Sequence, residues 1–182
     1  MEYEDQLENI SNTFKAELGE DDFKNYILGF ISYKYLSEKM EYYADVILQS
    51  IGESYVADCE YDVADPTIRE AALESLGYFL KPSELFSELV HRGNADGKGE
   101  FILDDLTKIL NSVAQDTTGA ESKEDFDHHF KGLDLTTSKL GKDAKSNNDF
   151  IVKVLSHLDE IDLIVDDYDA DILSGVYEYL ND

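Results

Sequence analysis

Apolar residues recur at steps of three and four from the start of the chain. Tyr3, Leu7, Ile10, Phe14 and Leu18 form one stripe, which predicts an amphipathic helix. Gly19 ends it, because glycine accepts the left-handed conformation that closes a helix. Asp21 or Asp22 stands where a carboxylate caps the free first-turn N–H groups of the next helix. That helix is expected from about Phe23 to about Ser50. Phe23, Ile27, Phe30 and Ile31 cover one side of it, and Tyr33, Leu36, Met40 and Tyr43 extend the cover. Lys24, Lys34 and Lys39 fall off that stripe. A helix of this length reads as the spine of the fold.

Farther along, the pattern is broken more often. Residues 51–66, "IGESYVADCEYDVADP", are polar and irregular and read as a long loop. "TIREAALESLG" is a short helix ending at Gly77. Pro82 disfavours an α conformation at Lys81, so "YFLKP" reads as extended. Pro82 itself suits the first turn of a helix over "PSELFSELV". "GNADGKGE" is a turn. "FILDDLTKILNSVA" is a helix with Phe101, Leu106 and Ile109 or Leu110 inward. Ser122 caps "SKEDFDHHF", and Gly132 to Asn148 is loop-rich. "DFIVKVLSHLDEI" is helical, and "DADILSGVYEYLND" is a last helix capped by Asp169 or Asp171. No alternating run is long enough to build a sheet. The expected class is all-α, a bundle of about seven to eight helices with long irregular connections.

Composition narrows what such a bundle does. The chain has 182 residues with 42% hydrophobic content, enough for a packed core and unlike a disordered acidic tail. Its formal net charge is -26, a field that repels nucleic acid. DNA contact therefore needs a local basic patch, partner chains, or acids that imitate DNA. Cys59 is the only cysteine, so no intrachain disulfide forms and a reducing, cytoplasmic setting is expected. "MEYEDQLENI" lacks the basic and apolar regions of a signal peptide. No apolar run reaches membrane-spanning length.

Candidate chemistry is sparse. "NADGKGEFILDD" places Asn94, Asp96, Glu100 and Asp105 near calcium-loop spacing, but Lys98 occupies a ligand position. Asp167, Asp169, Asp171 and Glu178 have the spacing too, with Ile172 where the loop requires glycine. Acids at a turn and a helix start account for both. His128 and His129 are neighbours and cannot chelate as an i, i+4 pair, while His91 and His157 stand alone. Cys59 has no basic residue nearby to activate it, and no G-x-S-x-G elbow occurs. One stretch is net positive: "KGLDLTTSKLGKDAK" carries Lys131, Lys139, Lys142 and Lys145 against Asp134 and Asp143. Lysines and backbone N–H groups of such a loop can touch phosphate, although a solvated loop is the simpler account of them. Residues 159–182 hold nine acids and no Lys or Arg, and cannot lie on DNA without repulsion.

Three stretches carry a resemblance. "DFKNYILGFISYKYLSEKMEYY" is followed by "GYFLKPSELFSELV" with "EFILDDLTKIL" after it, and then by "FKGLDLTTSKLGKDAKSNNDFIVKVLSHLDEIDL" closed by "DADILSGVYEYL". In order and spacing they resemble the N-terminal region of the modification (HsdM-type) subunit of type I restriction–modification systems. The resemblance spans nearly the whole chain.

The resemblance implies S-adenosylmethionine-dependent methylation of adenine N6 by a full-length, adenine-specific DNA methyltransferase. It also implies residues 1–182 as a single N-terminal helical domain, with 1–115 and 120–182 as its sub-parts should it divide. In that family a catalytic domain follows, with a glycine-rich cofactor loop and an N-P-P-[FY] motif that positions a flipped adenine. Here the only prolines are Pro66 and Pro82, so that motif is absent. No catalytic, cofactor or metal residue carries over, and this chain alone is expected to be inactive. The implied partners are a specificity subunit, a second modification subunit, a restriction subunit and double-stranded DNA, with no membrane. The domain would serve assembly and clamping. Lys131, Lys139, Lys142, Lys145, Lys24 and Lys34 are then the candidate phosphate or subunit contacts. Two arginines in all are too few for base-edge readout. Two rival readings remain open: an acidic DNA-mimic antirestriction protein that binds such a complex, and a calcium-sensing helical module.

Overall fold

The computed structural model describes residues 5, 8–10, 12, 20–49, 52, 66–94, 102–116 and 144–160. Its helices are α1 (Glu20–Leu48), α2 (Pro66–Ser75), a 3-10 turn (Pro82–Glu84), α3 (Phe86–Asn94), α4 (Leu103–Asp116) and α5 (Ala144–Asp159). No strand occurs among the described residues. The all-α class read from periodicity is the class observed. The closing helix expected at 169–182 and the cap at Ser122 lie outside the described residues.

The long helix is the spine, and it is enclosed more fully than a single stripe implies. Every residue from Ile31 to Ser37 is buried. Seven consecutive positions pass nearly twice around an α-helix, so no face of that stretch looks at solvent. From Met40 onward the helix becomes one-sided. Met40, Ala44 and Leu48 are buried, while Tyr42 and Val46 are exposed. Asp21 and Asp22 are helical, within Glu20–Leu48, and so do not precede the helix as a cap.

The Tyr43 hydroxyl joins α2 to the spine. It donates to the Ala71 carbonyl at 3.2 Å and lies 3.0 Å from the Ser75 hydroxyl. Gly77, at φ 85, turns the chain after α2 in the left-handed conformation open to glycine. Tyr78, Phe79 and Leu80 then run through the core in no regular structure. Lys81 is extended, at φ -70 and ψ 160, as the following proline requires.

Two boundaries differ from the sequence reading. "PSELFSELV" is not one helix: a 3-10 turn over Pro82–Glu84 is separated from α3 by Leu85, extended at φ -69 and ψ 149. Leu85 is buried, and the break turns it inward. The loop expected to reach Asn148 ends earlier, because α5 begins at Ala144. Asn148 is buried within α5, where its side-chain oxygen accepts the Ile102 N–H at 2.7 Å. That bond satisfies a donor just ahead of α4. The polar run "KSNN" carries no apolar period, which hid the first turn of α5.

α3 is the short hub of the core. It packs on α1 and on α5, and α5 also meets α1 and α4. Leu106 turns inward from α4 as expected, both Ile109 and Leu110 do so, and Val113 joins them, while Phe101 lies outside the described residues. The α3–α5 approach is close: a Cβ on Gly93 would meet Val152 Cγ2 at 2.9 Å. Helices on both sides of residues 115–120 thus contribute to one hydrophobic cluster. Among the described residues, no helix is long and apolar enough to cross a membrane.

Candidate functional site

The extended chain from Tyr78 to Phe86 lies along α1 through exchanged side-chain hydrogen bonds. The Tyr33 hydroxyl donates to the Glu84 carbonyl at 2.5 Å. One helical turn on, Ser37 Oγ accepts the Phe86 N–H at 3.0 Å. In return, the Tyr78 hydroxyl donates to the Leu36 carbonyl at 2.9 Å. Arg92 closes the outer side, donating to the Ser83 carbonyl at 3.0 Å and pairing with Asp105 at 3.2 Å. The break at Leu85 frees backbone groups, and these side chains take them up. Leaving one such buried group unmet costs roughly 1–3 kcal/mol, so the break persists only because the spine supplies partners.

Electrostatics keep both phenols in the donor form. Burial raises Tyr33 well above the ordinary tyrosine range, and Glu84 adds to the shift, while Arg92 and Ser37 oppose it. Tyr78 is raised by burial first and by Tyr35 second. The Tyr33 ring also meets the Phe86 ring edge-on, with centroids 5.4 Å apart, a favoured aromatic geometry.

Beside this seam, α1, the start of α3 and the end of α5 enclose a cleft of about 150 Å³, lined by Lys34, Ser37, Glu38, Glu41, Phe86 and Asp159 among others. Lys34 pairs with Glu38 one turn along the same helix wall, and its ammonium lies 5.8 Å from the Phe86 ring centroid. Glu41 is raised above its ordinary value by burial, with Asp45 adding to it.

The candidate contacts read from the sequence fare differently. Lys34 lies off the apolar stripe, as read, yet is only 4% exposed. α1 is enclosed all round from Ile31 to Ser37, so a position off the stripe there is not a position in solvent. Turned inward onto Glu38 and Phe86, Lys34 is not presented to a phosphate. Lys145 is exposed in the first turn of α5. Lys24 belongs to the first part of α1. Lys131, Lys139 and Lys142 lie outside the described residues.

Of the first calcium-like set, Asp105 pairs with Arg92 and Asn94 ends α3, while Asp96 and Glu100 lie outside the described residues. The second set, Cys59, His128 and His129 also lie outside them. His91 is exposed and His157 half-buried. Among the described residues, no three of His, Cys, Asp or Glu come together as a metal set.

Sequence reasoning missed Tyr33, Ser37 and Tyr78 as a bonded group. The available signal was a serine four residues after a tyrosine within an apolar helix. What these groups do is hold shape: they set the chain before α3 against the spine.

The comparisons with known proteins agree in one direction. The family model for the HsdM N-terminal domain matches residues 3–158. The type I restriction enzyme MpnII methylase subunit of Mycoplasma pneumoniae (strain ATCC 29342 / M129 / Subtype 1) is 27% identical over 186 residues, covering 97% of this chain and 34% of that protein. The crystal structure of the type I restriction-modification system methyltransferase subunit from Streptococcus thermophilus matches with a TM-score of 0.75 at 24% identity, over 98% of this chain and 37% of that one. At that identity the structural match carries the fold. The chain spans about a third of the length of these relatives.

Proposed function

The chain belongs to the HsdM N-terminal domain family, and from that membership we propose that it serves a type I restriction–modification methyltransferase subunit as an arm for assembly and for clamping DNA. The match over residues 3–158 carries this reading. In it, the full protein methylates adenine N6 with S-adenosylmethionine, and residues 1–182 supply none of that chemistry. Its partners are a specificity subunit, a second modification subunit, a restriction subunit and double-stranded DNA. A rival reading, an acidic DNA mimic, rests on charge alone, whereas the relatives are the modification machinery itself.

The charge limits how the arm meets DNA. At a net charge of -26, only a few phosphate contacts offset long-range repulsion. Of the proposed set, Lys145 is exposed on α5. Lys131, Lys139, Lys142 and Lys24 complete the set, and Lys34 drops out because it is buried. Such lysines add affinity without reading sequence.

The test is DNA residence in the assembled complex. Full-length methyltransferase subunit, with or without Lys139→Glu, Lys142→Glu and Lys145→Glu, is assembled with its specificity subunit on labelled DNA. The triple variant is expected to release DNA about tenfold faster, the loss of roughly 1.4 kcal/mol, with a shallower dependence on salt. Removal of residues 1–182 is expected to weaken assembly itself, read by sedimentation. A truncated subunit that assembles and holds DNA as long as the intact one would falsify the proposed role.

A further inference from the structure

We draw no further inference here: the strongest candidate, the acid-lined cleft between α1, the start of α3 and the end of α5, has its buried cation Lys34 already engaged by Glu38 and the Phe86 ring and offers no second observation that points to a ligand beyond its cluster of carboxylates.

Discussion

Lys34 and Glu38 stand one helical turn apart, a spacing that on an exposed helix makes a weak surface pair. Here the Lys34 side chain is 5% exposed and that of Glu38 29%, so the pair works under different rules. Removing one partner of a buried pair leaves a charge out of water, whereas replacing both partners by apolar residues of similar volume can be nearly neutral. Glu38→Ala is expected to destabilise the chain toward the low end of roughly 3–5 kcal/mol, because Glu38 keeps some solvent. Replacing the pair as a whole, Lys34→Met with Glu38→Leu, is expected to cost far less. Urea unfolding of both variants checks the order, and equal losses would contradict it. Glu41 allows a second test. Its carboxyl is raised in the folded state by burial and by Asp45. A raised group favours folding while protonated, fully so below the ordinary value of 4.5, and that contribution is lost as pH rises through the folded value. The charged form therefore costs stability at neutral pH. Glu41→Gln is expected to stabilise the chain at pH 7, with the gain shrinking as pH falls toward 4.5. A gain independent of pH would show that some other property of the substitution is responsible. Neither residue's setting was legible beforehand, because spacing names a neighbour on the helix but not what covers the pair.

At the scale of elements, the sequence marked α1, α2, α4 and the body of α5 well, because each carries a sustained apolar period. It erred where a bond and not a period decides the structure. Leu85 breaks an otherwise helical pattern because Tyr33 and Ser37 take up the freed backbone groups. The first turn of α5 is polar, and it is tied in through Asn148. Helix crossings were equally hidden, since no local pattern says which glycine faces another helix. Gly93 does so. An added methyl group would lie 2.9 Å from Val152 Cγ2, well inside ordinary contact. Alanine in a helix normally gains about 0.5–1 kcal/mol over glycine, yet crowding a packed core costs typically 1–3 kcal/mol. Gly93→Ala is therefore expected to be net destabilising by about 1 kcal/mol. Combining it with Val152→Ala should recover part of that loss as a coupling energy. Thermal unfolding of the two single variants and the double variant measures this, and strict additivity would mean that the two side chains do not crowd each other.

For the whole molecule, charge is the quantity that separates sequence from fold. The class was readable from periodicity, and the family from three stretches in order, confirmed by the match over residues 3–158. The contacts with partners were not readable, because a net charge of -26 says what is repelled and not which face is used. The same charge predicts a physical response. Self-repulsion weakens as the screening length falls from about 30 Å at 0.01 M salt to about 8 Å at 0.15 M. Melting temperature is expected to rise over that range, and a flat profile would mean that the acids are already neutralised locally. One consequence of the seam reaches beyond stability. Tyr33 offers a donor and Ser37 an acceptor, one turn apart, and they meet a carbonyl at residue 84 and an amide at residue 86. A residue inserted or lost between those points would set donor against donor or leave both hydroxyls empty. Natural length variation in this family should therefore avoid residues 84–86, whatever happens to the side chains around them.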